Sequence, residues 1–97
     1  MYSIDIIIEK KHRWNFKELL TNRNLDYIEW FVEFSSERSI ISCDVHTREH
    51  VTEIVRFLKD NSPGSRLVLP NGSNINPAKE EFDRIVELIL KKISRER

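Results

Sequence analysis

Two histidines and a glutamate within five residues are the side chains of this sequence best suited to bind a metal ion. They lie in the segment His46-Thr47-Arg48-Glu49-His50, which has the pattern H-x-x-E-H. Neutral imidazole binds zinc well, and a neighbouring carboxylate can accept a proton from zinc-bound water. This chemistry needs both histidines on one face of a helix, so the elements around the motif decide what it does.

The motif resembles the signature of the inverzincin zinc peptidases. That resemblance implies zinc ligands at His46 and His50 and a general base at Glu49, and it covers these five residues only. His46 ends a predicted strand and Thr47 is the predicted N-cap of the next helix, so the histidines need not share a helical face. We therefore expect surface histidines, transfer no catalytic role, expect no cofactor, and keep His46 and His50 as candidate metal ligands.

Other reactive groups give little sign of catalysis. The single cysteine, Cys43, excludes an intramolecular disulfide. Alternation places it on the core side of a strand with Ile41 and Val45, where a thiol is usually inert. The two glycines, Gly64 and Gly72, are too few for a phosphate-binding glycine loop. With no nucleophile–base pair or metal set standing out, we expect a protein that is not an enzyme.

Composition narrows the classes of partner and the compartment. Sixteen basic and sixteen acidic residues cancel, whereas nucleic-acid-binding proteins usually carry a basic excess, so no nucleic acid is expected. The one basic cluster with an aromatic neighbour, 10–14, is predicted to be a solvated loop with Trp14 against the first helix. No apolar stretch is long enough to cross a bilayer and no N-terminal signal is visible. We expect one cytoplasmic domain spanning residues 1–97 and no membrane contact.

The hydrophobic periods predict an α+β domain. The predicted elements are, in chain order, a strand Tyr2–Ile8, a helix Phe16–Asn22, strands Tyr27–Ser35 and Ser39–His46, a helix from Thr47 to Asn61, a strand Arg66–Leu69 and a final helix from Pro77. The order βαββαβ plus a helix resembles a ferredoxin-like split βαβ sandwich with an added C-terminal helix. An open mixed α/β sheet with helices on both faces is the alternative.

Local signals suggest where some elements begin and end. Asn15 and Glu18 have the spacing of a capping box for the first helix. Asn76 is the predicted N-cap of the last helix, whose acidic start and basic end suit the helix dipole. Pro70 ends the fourth strand and suits a sheet edge.

Alternation along the strands predicts which residues face the helices. Ile28, Trp30, Val32 and Phe34 are predicted to point into the core. The opposite side is then acidic, with Ile7, Phe31 and Ile40 among its carboxylates. We expect the final helix to cover this side, with a second subunit as the alternative.

The functional hypothesis follows from that acidic side. We expect a non-enzymatic binding module, such as a bacterial immunity or antitoxin-type protein that docks a basic toxin. The predicted partner-binding residues are Asp5, Glu9, Tyr27, Glu29, Phe31, Glu33 and Asp44. The alternative is a small-ligand- or metal-responsive regulatory domain acting as a dimer. A homodimer is expected, if one forms, through the C-terminal helix or the edge strand Tyr27–Ser35.

Overall fold

The computed structural model describes residues 2–30, 37–70 and 72–95 of the chain. These residues form a small α+β domain with a five-stranded antiparallel sheet and three α-helices. The strands are β1 (Tyr2–Glu9), β2 (Tyr27–Trp30), β3 (Arg38–Val45), β4 (Arg66–Val68) and β5 (Asn74–Ile75). The helices are α1 (Arg13–Asn22), α2 (Arg48–Asn61) and α3 (Phe82–Arg95), and a 3₁₀ turn, Lys10–His12, joins β1 to α1.

The strands lie side by side in the order β2-β3-β1-β4-β5, and each neighbouring pair is antiparallel. Both β1 and β2 pair with β3, so they run parallel to each other with β3 between them. Ile6 lies opposite Ile41 on one side and Leu67 on the other. This register brings the apolar positions of three strands onto one side of the sheet, since residues directly opposite share a face.

All three helices pack against that same side. Phe16 of α1 lies 5.5 Å from the ring of Phe57 on α2. Buried side chains of α1, α2 and α3 join those of the strands in one hydrophobic cluster. The alternative prediction of a mixed sheet with helices on both faces is therefore wrong for the described residues.

The sequence led us to expect that the final helix covers the opposite side of the sheet. That prediction is wrong, because α3 lies on the same side as the other helices. Ile85, Val86 and Ile89 are buried in the common core. The helix also packs on α2, where Arg48 forms an ion pair with Glu87 at 2.8 Å and another arginine stacks on an α3 ring. Because α3 packs on the same side of the sheet as α1 and α2, no helix in the described part of the chain covers the other side.

One of the two predicted caps at the starts of α1 and α2 is present in the structure. Thr47 is the N-cap of α2, as predicted, and its hydroxyl accepts a hydrogen bond from the His50 amide at 3.2 Å. The capping box at Asn15 and Glu18 is wrong, because α1 begins earlier, at Arg13, and its N-cap His12 makes no side-chain cap bond. The 3₁₀ turn leads directly into the helix, so no free helix end remains at Asn15 for a side chain to cap.

The prediction that the last helix starts at Pro77, with Asn76 as its N-cap, is also wrong. The Asn76 side chain accepts a hydrogen bond from the Ala78 amide at 3.0 Å, which closes a separate turn. The Lys59 ammonium of α2 holds this turn by donating to the carbonyls of Pro77 at 2.7 Å and Glu80 at 2.5 Å. Asn76 therefore caps a turn, and α3 begins only at Phe82.

The fourth strand is not at the sheet edge. The segment between this strand and the last helix contains β5, in which Ile75 pairs with Leu67 and Asn74 with Val68. The strand β4 ends at Val68, one residue before the predicted end at Leu69. The chain turns back through Gly72, whose φ of +88° suits a residue without a side chain. The two-residue strand carries too short a pattern to be recognised from alternation alone.

The strand β2 faces the opposite way from the prediction. Helix α1 ends in a Schellman motif, in which the Asn24 amide donates to the Thr21 carbonyl at 3.1 Å and the Leu25 amide to the Leu20 carbonyl at 2.9 Å. Asn24 takes the left-handed φ of +56° that this motif needs. The motif buries Leu25, so the period-2 alternation that starts there sends Tyr27 towards the helices and Ile28 away from them.

Candidate functional site

The side of the sheet away from the helices is the feature that best fits a binding role. We call it the open face. Its residues on described strands are Ser3, Asp5, Ile7, Glu9, Ile28, Trp30, Arg38, Ile40, Ser42, Asp44, Arg66, Val68 and Asn74. Two large apolar side chains on this face are strongly exposed, with Ile28 at 59% and Trp30 at 54%.

Register places the apolar side chains of the open face next to one another. Trp30 lies opposite Ile40, and Ile40 lies opposite Ile7. Ile28 stands two residues from Trp30 along the same strand and Val68 lies one strand beyond β1. Contiguous exposed apolar surface rimmed by polar groups is typical of protein interaction sites.

Hydrogen bonds fix the edge of this apolar patch. The Trp30 indole N–H donates to the Ser42 hydroxyl at 3.0 Å, and Ser42 donates to Asp5 Oδ1 at 2.5 Å. The chain of donors orients the indole and leaves the Asp5 carboxylate as its acceptor end. A second pair, Ser3 donating to Asp44, lies beside it. The tryptophan is thus held in place before any partner arrives, which lowers the entropy lost on binding.

Charge is unevenly distributed over the open face. Asp5 and Asp44 lie towards one end, and Asp26 joins them where its carbonyl accepts from the Asp44 amide at 3.0 Å. Within the described residues none of these three carboxylates forms an ion pair. Arg38 and Arg66 lie towards the other end, at the register positions of Glu9 and Ile7.

A small cleft opens at the acidic end. Its volume is about 170 Å³, and it is lined by Ser3, Asp26, Tyr27, Ile28, Ser42 and Asp44. A cleft of this size holds one side chain rather than a whole small molecule, because drug-sized pockets have volumes of about 300–1,000 Å³.

The predicted partner-binding residues are divided among several places. Asp5 and Asp44 lie on the open face, as predicted. The placement of Tyr27 and Glu29 is wrong: they lie opposite core residues of β3, on the helical side. Glu9 lies at the end of β1 on the open face. Phe31 and Glu33 lie outside the described residues, together with Val32 and Phe34.

Glu29 has a structural setting on the helical side. Its side chain is 11% exposed and its carboxylate lies 3.2 Å from the Lys17 ammonium and 4.0 Å from the Arg13 guanidinium. Two cations from α1 offset the cost of burying this carboxylate. The sequence did not predict this buried ion pair, because a single glutamate in a strand is usually assigned to the solvent-facing side.

Glu9 closes a loop at the end of β1. Its carboxylate accepts a hydrogen bond from the Gly64 amide at 3.0 Å and pairs with the Lys11 ammonium at 3.3 Å. Burial alone would raise the pKa of Glu9, but the Gly64 amide and Lys11 stabilise the charged form and hold the pKa below its ordinary value of 4.5. The neighbouring cavity of about 480 Å³ has mixed charge, being lined by Glu9, Lys10, Lys11, Glu37, Arg38 and Gly64.

The H-x-x-E-H segment is divided between a strand end and a helix. His46 is exposed and follows β3, whereas His50 lies in the first turn of α2. The ring centroids are 6.2 Å apart, and His50 Nδ1 accepts a hydrogen bond from the His46 amide at 3.3 Å. That bond occupies the Nδ1 lone pair. Within the described residues no three acidic, histidine or cysteine side chains cluster as a metal site.

Neither Cys43 nor Trp14, the other two residues considered from the sequence, lies in surroundings that suggest catalysis or nucleic-acid binding. Cys43 is buried, and burial raises the pKa of its thiol to about 12, with the carboxylates of Asp44 and Asp5 adding to the effect. Trp14 is not tucked against a helix as predicted. It belongs to α1 and is 65% exposed, with the Lys17 ammonium 4.5 Å from its ring centroid.

Comparisons with known proteins give no relative for this chain. No family model matches it, and neither the curated proteins nor the solved structures contain a match. In the part of the chain that the structure describes, no helix has the length and apolar character needed to span a membrane.

Proposed function

We propose that this chain is a non-enzymatic protein-binding module and that the open face is its binding surface. The observation that supports this most directly is the exposure of Trp30 and Ile28 on a sheet face that no described helix covers. Tryptophan is among the side chains that most often dominate the energy of protein interfaces. Its hydrogen bond to Ser42 supplies the preorganisation that such an anchor needs.

The partner we propose is a basic protein. Asp5, Asp26 and Asp44 lie together at one end of the open face, without an ion pair to another described residue. A partner that brings lysine or arginine to this end gains complementary charge, which speeds association and sets the orientation. The concrete form of the proposal is an immunity or antitoxin-type inhibitor that blocks a basic toxin.

Two further proposals concern the setting of this function. The strand order β4-β1-β3-β2 in an antiparallel sheet, with β1 and β2 parallel and separated by β3, supports a ferredoxin-like split βαβ arrangement to which β5 and α3 are added. The compartment we propose is the cytoplasm.

The alternative hypothesis for function is still a small-ligand- or metal-responsive regulatory domain that acts as a dimer.

The test is affinity capture of the partner with matched tryptophan variants. Trp30→Ala removes the anchor on the open face, and Trp14→Ala removes a similarly exposed tryptophan from α1. We expect Trp30→Ala to weaken binding of the captured protein by about 30-fold or more, measured by titration calorimetry, because interface anchors contribute about 2 kcal/mol or more. Trp14→Ala should leave the affinity unchanged.

A charge pair of variants tests the nature of the partner. Asp44→Lys reverses a charge at the acidic end of the open face, whereas Asp60→Lys reverses one on the exposed surface of α2. A basic partner should bind the Asp44 variant more weakly and the Asp60 variant normally, and its affinity for the wild type should fall as salt is added. Equal affinity of all three proteins would refute the proposed surface.

A further inference from the structure

The open face has a pattern of charge and apolar groups that is complementary to itself. Four cross-strand rows can be read from the register, each separated from the next by two residues along the strands. The rows are Arg38 with Glu9; Trp30 with Ile40, Ile7 and Arg66; Ile28 with Ser42, Asp5, Val68 and Asn74; and Asp44 with Ser3. The arginines lie in the first two rows, with Glu9 beside Arg38. The last two rows contain Asp5 and Asp44, which accept hydrogen bonds from serines but form no ion pair with another described residue. The large apolar groups lie in the two middle rows.

We propose that a second copy of this chain occupies the open face, through a two-fold axis that lies between the sheets and perpendicular to the strands. Such an axis reverses the order of the rows in one copy relative to the other. Trp30 then packs on Ile28 of the second copy, and Arg66 lies beside its Asp5. Each contact occurs twice, as in any two-fold interface.

The alternative face-to-face arrangement is disfavoured by charge. A two-fold axis parallel to the strands would place each row on the same row of the second copy, so that the rows with aspartates would meet each other and Trp30 would lie in a different row from Ile28. Like charges held opposite one another cost interaction energy. The neutral chain thus carries a dipolar face that favours one of the two arrangements.

The size of the face sets the expected strength. Strands about 4.8 Å apart and side-chain rows about 6.7 Å apart give about 400 Å² per copy, or about 800 Å² in total. Stable interfaces usually bury more than about 1,200 Å². We therefore expect a dimer with a dissociation constant of about 10–1,000 µM, which a tighter partner displaces.

This inference goes beyond the proposed function and gives it a regulatory consequence. Two copies that cover each other's Trp30 and Ile28 hide the apolar patch while the protein is free and concentrated. A basic partner must then compete with the second copy for the same surface, so partner binding converts dimer to monomer.

The test is analytical ultracentrifugation of the purified chain from about 5 µM to about 1 mM. We expect a reversible monomer–dimer equilibrium that Trp30→Ala shifts towards monomer by about tenfold or more in dissociation constant. Trp14→Ala is the control and should dimerise as the wild type does. A monomer at every concentration would overturn the inference, and so would a dimer that Trp30→Ala leaves intact, because its interface would lie elsewhere.

A charge exchange separates this arrangement from general stickiness. Asp5→Lys and Arg66→Glu should each weaken the dimer, whereas the double variant should restore it because each copy again meets opposite charge. Circular dichroism melting confirms that the variants fold. Failure of the double variant to recover would overturn the proposed axis. Loss of the dimer proposal leaves the proposed function standing if Trp30→Ala still weakens capture of a basic partner.

Discussion

At the scale of single residues, the two tryptophans have similar exposure but different surroundings. Trp14 is 65% exposed and stands among cations, with the Arg13 guanidinium 5.7 Å and the Lys17 ammonium 4.5 Å from its ring. Trp30 is 54% exposed and stands among apolar strand residues, fixed by Ser42. Exposure alone therefore does not distinguish an interaction site, and the neighbouring side chains do.

The buried thiol of Cys43 gives the first prediction. Its pKa of about 12 leaves almost no thiolate at neutral pH, and the thiolate is the reactive form. We expect no labelling by a disulfide reagent at pH 8 in the native protein and rapid stoichiometric labelling in denaturant, followed by absorbance. Fast labelling of the native chain would show that β3 opens readily or that the thiol is accessible.

Glu9 gives a prediction about pH. Its folded pKa is depressed below 4.5, so its contribution to stability is complete above that value and is lost as pH falls through the folded pKa. We expect Glu9→Gln to lower the free energy of unfolding near neutral pH and to flatten its decline on acidification. Thermal melts from about pH 7 to about pH 3 measure both effects. An unchanged pH profile would contradict the role given to the Gly64 amide and Lys11.

At the scale of elements, β2 shows what alternation cannot decide by itself. Both alternating sets of the predicted strand Tyr27–Ser35 contain large apolar residues. The set that includes Ile28 and Trp30 is the more apolar, so it was predicted to face the core. The Schellman motif at Asn24 and Leu25 fixed the other parity. An asparagine followed by leucine after a helix is a recognisable sequence signal for this motif, and it would have given the correct face.

Substitutions in β2 and β3 test that parity. Ile28→Ser should change the free energy of unfolding by less than about 0.5 kcal/mol, because the side chain is already exposed. Ile41→Ala, on the helical side of β3, should cost about 2–5 kcal/mol because it leaves a cavity in the core. Urea denaturation measures both. A large loss for Ile28→Ser would mean that β2 faces the core through Ile28.

Other elements divide by the range of the interactions that form them. The strands β1 and β3 and the helix α2 were predicted from their periodicity. Ile41 of β3 is buried as expected, and Ile6 of β1 and Val55 of α2 are buried with it. The start of α3 and the strand β5 were missed. Lys59 holds the turn after Pro77 from 18 residues away, and β5 forms only by pairing with β4. Neither contact leaves a local pattern in the sequence.

At the scale of the whole molecule, the arrangement of helices creates the candidate site. Because α1, α2 and α3 share one side of the sheet, no described helix covers the other side, where Ile28 and Trp30 are exposed and Ile7, Ile40 and Val68 are partly buried. Sequence reasoning identified Asp5, Asp44, Ile7 and Ile40 as residues of this side. It missed Trp30, the anchor of the proposed surface, because the facing of β2 depends on a turn outside that strand.

Oxidative footprinting of the two tryptophans, in the free and the partner-bound chain, shows directly whether the open face binds the partner. Trp14 and Trp30 are the only tryptophans of the sequence and report on the helical side and the open face respectively. We expect the bound partner to protect Trp30 from oxidation while Trp14 reacts at the same rate as in the free chain. Protection of Trp14 with Trp30 still reactive would place the binding surface on the helical side and contradict the proposed role of the open face.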